Sequence, residues 1–525
     1  MGSMILIHPP VAKACEPPAG ITKLAGFLNA NNADCALIDA NLEGTIHLLA
    51  SPVDQADTWT RRATRNVSRH LQGLRDWSLY WNLDRYKRAV MDLNRIVATH
   101  GRKSRAQMSL SDYQHESLSP QRSDDLLWSA EHPEADPYYS FFSERLRDAF
   151  ERTSDGIVGI SLNYLSQALP TFSMLGYLRR EAPSVKLVLG GGLVTSWSQK
   201  TAVKHLFAGL VDEMVSGPGE YALLRMLGKS FISCGSTLPQ FYGLPLTDYL
   251  SPGLILPYAA SSGCYWGRCS FCPEQAEGND FRPIAADLVL MHLERLSDEM
   301  RPALFHLVDN AISPAVLERL ARKGSTGRAG GEANESKHVP WYGFARITSH
   351  LTDPDFCRAL KASGCAMLKV GVESADQKVL DAMQKGHDVE TARLVLAALK
   401  GAGIGTYVYL IFGTPQETEA SARATLQFVA QESAHIDFIN LALFNLPESS
   451  PEARLLKTRP FFDGDLSLYT DFAHPAGWER RRVRRFLESE FKRHPAVQKI
   501  LKSSPPFFTS NHAPLIALAA QTDRY

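Results

Sequence analysis

The chain of 525 residues is 44% hydrophobic and 21% charged, which allows large cores and disfavours wholesale disorder. Lys+Arg and Asp+Glu both number 56, so net charge is zero and general nucleic-acid binding, which leans on excess basic charge, is disfavoured. Its 8 cysteines are too sparse for a disulfide scaffold, and three of them crowd between positions 264 and 272.

At about 150 residues per domain the length allows three or four domains. No basic segment precedes the short apolar run at the N-terminus, so a secretory leader is not expected. The leading Met-Gly-Ser reads as a cloning remnant. No stretch reaches the ~20 apolar residues of a membrane span, and a reducing cytoplasm is the expected compartment.

Residues 5–7 form an apolar strand ending in Pro9 and Pro10. Ile21, Leu24, Ala25 and Leu28 then mark one face of a helix. A second strand, 35–38, ends in Asp39. A third, 156–162, carries Ser161 and leads to Asn163. The fourth, 186–189, runs into Gly190, Gly191 and Gly192, and the fifth, 213–215, into Gly217, Gly219 and Glu220. Apolar strands alternating with helices imply a parallel sheet covered on both faces. Such sheets bind ligands at the carboxyl ends of their strands, and the glycine-rich ends point to a nucleotide-like ligand. No Gly-x-Gly-x-x-Gly follows the first strand, which argues against NAD or FAD.

Residues 45–150 interrupt this pattern as a helical insertion holding Trp59, Trp77, Tyr80, Trp81, Tyr86 and Trp128. Aromatic stripes at helical spacing are usually core, so the segment reads as a helical cap on the sheet. The expected organisation is a Rossmann-like unit over 1–225, a linker over 226–254, a further α/β unit over 255–450 and a mostly helical C-terminal extension over 451–525.

The second unit opens on the strand 255–260, followed by Cys264-Tyr-Trp-Gly-Arg-Cys269-Ser-Phe-Cys272. Clustered thiols bind soft metals as thiolates. Structural zinc wants four protein ligands, and His292, twenty residues on, sits in a helical pattern. Three cysteines on an iron–sulfur cluster leave one iron open for a substrate or cosubstrate. A zinc-stabilised scaffold is the competing reading. Strands at 303–308, 341–345, 367–372, 406–412 and 438–444 follow. Together with the first, these six βα units fit a partial barrel. Polar residues mark the strand ends: Asp309, Arg346, Glu373, Ser374 and the run Gly413-Thr-Pro-Gln-Glu-Thr418.

The Cys-x4-Cys-x2-Cys loop, with Phe271 before its third cysteine, resembles that of the radical S-adenosylmethionine (SAM) enzymes, whose usual first spacing is one residue shorter. The extra residue falls around Gly267, which can absorb an altered turn. Residues 360–383, with Gly-Val-Glu-Ser and Val-Leu-Asp-Ala-Met, and the Gly-Thr-Pro-Gln-Glu-Thr run are similar to the subgroup with an N-terminal cobalamin-binding domain. The resemblance implies that Cys264, Cys269 and Cys272 hold a 4Fe–4S cluster. It places Phe271, Arg346, Glu373, Ser374 and Gly413 around SAM, with Arg346 facing its carboxylate. Reductive cleavage of SAM by the cluster would give methionine and a 5′-deoxyadenosyl radical.

The same resemblance places probable cobalamin on Pro9, Pro10, Asp39, Ser161, Asn163, Gly190, Gly191, Gly192, Gly217, Gly219 and Glu220. It implies methylation or rearrangement of an unactivated carbon, with an electron donor such as flavodoxin or ferredoxin. Asp39-x-Asn41-x-x-Gly44 has the spacing of a cobalt-ligand motif but lacks its histidine, so no protein histidine is expected on cobalt. The remaining cysteines, Cys15, Cys35, Cys234, Cys357 and Cys365, read as structural. A basic amphipathic helix over 479–494 and a lone His512 complete the tail.

Overall fold

The computed structural model describes residues 4–54, 57–150, 156–200, 203–232, 237–326, 338–462 and 464–522; Cys234 lies outside them. The chain divides into two units, one of Met1–Leu254 with Phe462–Leu468 and Pro506–Phe508, the other of the remainder.

In the first unit five strands, Met4–His8, Cys35–Asp39, Ile157–Ser161, Lys186–Gly190 and Glu213–Met214, pair in the order second, first, third, fourth, fifth. All the pairings are parallel. The first strand is buried along its whole length, as a strand covered on both faces must be. One face packs Met4, Leu6, Leu37 and Val188 against Ile21, Ala25 and Leu28 of the helix Ala19–Ala30. Strand order reverses between the first and third strands, so their carboxyl ends flank the crevice where such sheets take ligands.

The insertion is carried by the helices Thr58–Leu74 and Leu83–Lys103. Asp57 caps the first by accepting the Thr60 N–H at 2.8 Å, and Asn82 caps the second through Arg85 at 3.0 Å. The expectation that its aromatics are core holds for Tyr80 and Tyr86 but not for three tryptophans. Trp59, Trp81 and Trp128 are 37%, 54% and 39% exposed. Polar partners hold two of them at the surface. Trp59 donates to Asp92 at 2.8 Å under Arg95, and Trp128 stacks on His132 at 4.3 Å. A short antiparallel pair, Ala106–Met108 with Tyr113–His115, also forms in the insertion. Three residues give too little alternation to announce a strand.

In the second unit six strands, Ile255–Tyr258, Leu304–Leu307, Trp341–Ala345, Cys365–Glu373, Gly405–Phe412 and Phe438–Leu443, pair in parallel in chain order and leave the barrel open. Tyr258 accepts or donates a hydrogen bond at 2.9 Å with His292 of the helix Ala286–Met300, so its face is the helix-covered one. The opposite face carries His306, Tyr342, Phe344, Lys369, Tyr407 and Tyr409 in register. The basic stretch is broken: the helix Arg480–Phe486 widens into a π-turn over Leu487–Phe491, and a separate helix spans Pro495–Ser503. His512 is fully buried in the helix Thr509–Thr522.

Gly191 has φ 109°, and a Cβ there would sit 2.3 Å from the Leu162 carbonyl oxygen; Gly217, at φ 74°, has nothing within 4 Å. Gly191→Ala is expected to destabilise the protein by more than ~2 kcal/mol, and Gly217→Ala by only ~1–2 kcal/mol of left-handed strain. Urea unfolding of the two variants checks this ranking.

Candidate functional site

The loop after the first barrel strand is fastened before it reaches its first cysteine. Ser261–Ser262 pairs antiparallel with Arg282–Pro283. Asp309, beyond the second strand, accepts the Ala260 N–H at 3.1 Å and the Ser261 hydroxyl. Its carboxyl is pushed up by burial and pulled back by those bonds. A Cβ on Gly263, at φ 70°, would meet the Asp280 carbonyl oxygen at 2.3 Å, so the chain passes closely there. Gly267 is also left-handed, at φ 57°, where the extra loop residue was expected to be absorbed.

Cys264, Cys269 and Cys272 are free thiols. The Cys272 N–H donates to the Cys269 carbonyl at 3.1 Å, which fixes the second pair one turn apart. Burial pushes the Cys272 thiol up to about 11, so a bound metal must displace its proton. Among the described residues, no three Cys, His, Asp or Glu side chains are grouped to hold one metal ion. A cluster takes each thiolate on a different iron, so its three ligands surround a volume instead of meeting at a point. The donor set, three soft thiolates in one loop, fits that group.

Of the residues expected around SAM, the fold links Arg346, Phe271 and Glu373 to the cysteine loop. Arg346 is 6% exposed. Its Nη1 donates to Cys269 Sγ at 3.6 Å and its Nη2 to the Lys385 carbonyl. Lys385 Nζ donates to Glu373 Oε1 at 2.6 Å and lies 5.4 Å from the Phe271 ring centroid. Glu373, at φ 64°, ends the fourth strand at a register shift. Ser374 is buried, and its hydroxyl accepts the Asp376 N–H at 3.2 Å, so it shapes the turn. Lys385 was not anticipated from the sequence. Its one signal is the glycine after it, since Gly386 is left-handed at φ 77° and lies against Trp266.

Gly413 belongs to a separate group. It ends the fifth strand at φ 85°, with Val483 of the basic helix 3.4 Å from where its Cβ would be. Its N–H donates to Glu417 Oε2, which also accepts the Trp478 indole at 2.9 Å. His474 is hydrogen-bonded to the Thr414 carbonyl at 2.8 Å. Burial raises the Glu417 carboxyl to about 7. These partners from residues 474–483 hold the end of the fifth strand, a role that the sequence alone did not assign to them.

In the first unit the loops at the strand ends are joined to one another. Asn163 donates to the Ser161 carbonyl at 3.0 Å and accepts the Gly192 N–H at 3.0 Å. The Gly217 N–H donates to Thr195 at 2.9 Å. Gln167 donates to the Pro9 carbonyl at 2.7 Å, while Pro10 is buried beside it in the chain. Glu220 pairs with Lys23 at 3.0 Å. Asp39 is the cap of the helix Ala40–Ala50 and accepts the Tyr249 hydroxyl at 2.7 Å. Asn41 accepts the Ala12 N–H at 2.7 Å. Among the glycines, Gly191 is required by the Leu162 backbone and Gly219 packs on Leu24. Gly190 and Gly192 meet only ordinary contacts, and Gly217 faces open space. His8, at the crevice, is buried and its ring is 3.4 Å from the Gln167 amide nitrogen. Burial lowers its pKa to about 4, so the imidazole is neutral.

The family model of the radical SAM superfamily matches residues 258–429, which spans the cysteine loop and the end of the fifth strand. Those residues form a radical SAM domain. The chain is 29% identical over 350 residues, 62% of this chain and 72% of the relative, to a protein of Chlorobaculum tepidum named bacteriochlorophyllide d C-12(1)-methyltransferase. Its fold is shared with two solved structures of cobalamin-dependent or methyltransferase members. One is OxsB with aqua-cobalamin and SAM bound, at a TM-score of 0.51 and 14% identity, covering 83% of this chain and 52% of that one. The chain thus spans about half the length of OxsB. The other is TsrM of Kitasatospora setae with cobalamin and a [4Fe–4S] cluster bound, at a TM-score of 0.52 and 15% identity, covering 86% of this chain and 74% of that one. No helix among the described residues is long and apolar enough to cross a membrane.

A radical SAM enzyme requires a 4Fe–4S cluster and SAM. Alanine at Cys264, Cys269 or Cys272 is therefore expected to remove most of the ~4 irons per chain that a loaded cluster carries. Alanine at the buried Cys357 or Cys365 is expected to leave iron unchanged and cost only ~1 kcal/mol of packing. Iron and sulfide analysis after anaerobic reconstitution separates the two outcomes.

Glu417 supplies a pH prediction. Its folded pKa of about 7 lies above the ordinary glutamate value of 4.5, so the folded state holds the proton more tightly between those values. Its contribution therefore makes stability fall as pH rises from ~4.5 to ~7, by about 3 kcal/mol in total. Glu417→Gln keeps an acceptor for Gly413 and Trp478 and is expected to flatten this slope, gaining stability at pH 8 relative to pH 5. Denaturant melts at the two pH values measure it.

Proposed function

We propose that this chain is a cobalamin-dependent radical SAM methyltransferase that acts on an unactivated carbon of a large, largely apolar substrate. The observation that carries the reading is the three-thiol loop at the carboxyl end of the first barrel strand, in a chain that also contains a parallel sheet of order 2-1-3-4-5. Bound by Cys264, Cys269 and Cys272, a 4Fe–4S cluster supplies the electron that cleaves SAM, and cobalamin supplies a methyl carrier.

The chain's own residues divide the remaining work. Glu373 and Ser374 close the fourth strand, and Gly413, packed against Val483, turns the chain at the end of the fifth. The loops at Pro9–Pro10, Ser161–Asn163, Gly190–Gly192 and Gly217–Glu220, with Asp39 behind them, form the cobalamin platform. His8 stays neutral and buried, and no protein imidazole reaches cobalt. The barrel face opposite Tyr258 is packed by the helix Thr509–Thr522 at Gly405, against Ala517, and at Tyr407, against Thr509, and its aromatic residues toward the strand ends support an apolar substrate with a π-surface. Phe344 and Tyr409 lie edge to face at 5.2 Å, and Tyr407 is 5.2 Å from Tyr409. Below them Lys369 donates to His306 at 3.0 Å. The methyltransferase named for a bacteriochlorophyllide makes a tetrapyrrole the first substrate to try. A flavodoxin or ferredoxin fits as electron donor, since Arg268 and Arg282 are exposed on the cluster loop and its closing strand.

Protein reconstituted with cobalamin is expected to retain about one equivalent after desalting. In the Co(II) state its EPR spectrum is expected to show no protein-nitrogen splitting, with or without His8→Ala. Loss of all cobalamin on desalting would make the chain a radical SAM enzyme with a vestigial sheet domain. Nitrogen splitting that disappears with His8→Ala would overturn the platform described.

A further inference from the structure

We infer that the lengthened Cys-x4-Cys loop serves to hold Arg346 against Cys269, and that Arg346 thereby sets the reduction potential of the cluster. The inference rests on the cluster reading above and adds to it a role for two residues, Arg346 and Trp266.

The geometry is specific. Trp266 lies between the first two cysteines, and its indole N–H donates to the Gln384 carbonyl at 2.9 Å. Its ring is seated against Gly386, where a Cβ would fall 2.2 Å from the ring; only glycine leaves that room. The Arg346 guanidinium lies over the seated ring at 4.2 Å, and that of Arg268 at 5.2 Å. Arg346 is anchored a second time through Nη2 on the Lys385 carbonyl. Its Nη1 is aimed at Cys269 Sγ at 3.6 Å, and the Tyr265 hydroxyl is a further partner of the guanidinium.

A planar guanidinium can stack on an aromatic face and donate in its own plane at the same time, which an ammonium cannot do. The left-handed Gly267 turns the chain directly after Trp266, which seats the indole inside the longer loop. The arrangement also gives Arg346 a different task from the SAM carboxylate expected of it, since two of its nitrogens are already committed.

Hydrogen bonds to the ligand sulfurs and nearby charge set the potentials of iron–sulfur clusters. A cation beside Cys269 favours the reduced cluster, which carries one more negative charge. Removing it makes the cluster harder to reduce.

The test is an anaerobic potentiometric titration of the reconstituted full chain without SAM, followed by the EPR signal of the reduced cluster. Arg346→Met is expected to lower the reduced-to-oxidised ratio at a fixed potential about tenfold, equivalent to ~59 mV for a one-electron couple. Trp266→Ala is expected to move the midpoint the same way by a smaller amount, and Trp266→Phe to restore most of it. An unchanged midpoint in Arg346→Met with full iron content overturns the inference. If Arg346→Met takes up no iron, Trp266→Ala decides by the same criterion. Folded variants that both fail to load iron also overturn it, because they assign the pair to assembly. A wild-type chain that takes up no cluster fails the cluster reading itself, and iron and sulfide analysis identifies that case before any titration.

Discussion

The second unit turns on one constraint: the loop that carries three thiols must be fastened to its neighbours at the open edge of a sheet. A free loop of this length would pay the conformational entropy of ordering each residue, ~1–2 kcal/mol apiece. The fold has largely met that cost before any metal arrives. Asp309 ties the loop's entry to the second strand, and the Ser270 N–H is taken by the Met383 carbonyl at 3.0 Å. The pair Ser261–Ser262 and Arg282–Pro283 closes the base. Cluster binding is then left mainly with the exchange of thiol protons for iron.

The same pre-ordering explains the buried ions nearby. Lys385 and Glu373 have side chains only 5% and 9% exposed. A buried pair adds little net stability, but removing either partner strands the other at a cost of ~3–5 kcal/mol. Its value here is positional, because the segment that carries Lys385 also offers the carbonyls that hold Arg346 and Trp266. A single short stretch, Gln384 to Gly386, therefore orients three groups around the cysteine loop. On the far side of the barrel rim, Glu417 and Trp478 do a similar service for Gly413.

The parallel sheets were legible in the sequence because fully covered strands leave continuous apolar runs, and Met4–His8 and Cys365–Glu373 are buried at every position. The cysteine loop was legible because its chemistry is local. The contacts that orient it were not. Arg346 and Lys385 come from separate turns of the chain, and nothing in either short segment says that they meet. The tryptophans of the insertion misled for a related reason. Helical spacing places Trp59 on a face, but only Asp92 and Arg95, over thirty residues on, hold it at the surface. The basic tail kept its amphipathic pattern, with Val483, Phe486 and Phe491 buried, through a π-turn that no residue type in it announces.

If Cys264, Cys269 and Cys272 carry a cluster that cleaves SAM, anaerobically reconstituted, reduced protein mixed with SAM forms 5′-deoxyadenosine, measured by chromatography, and Cys269→Ala forms none. A Cys269→Ala variant that forms it at the native rate, or a colourless native protein holding one zinc and forming none, would show that the three thiols do not carry such a cluster.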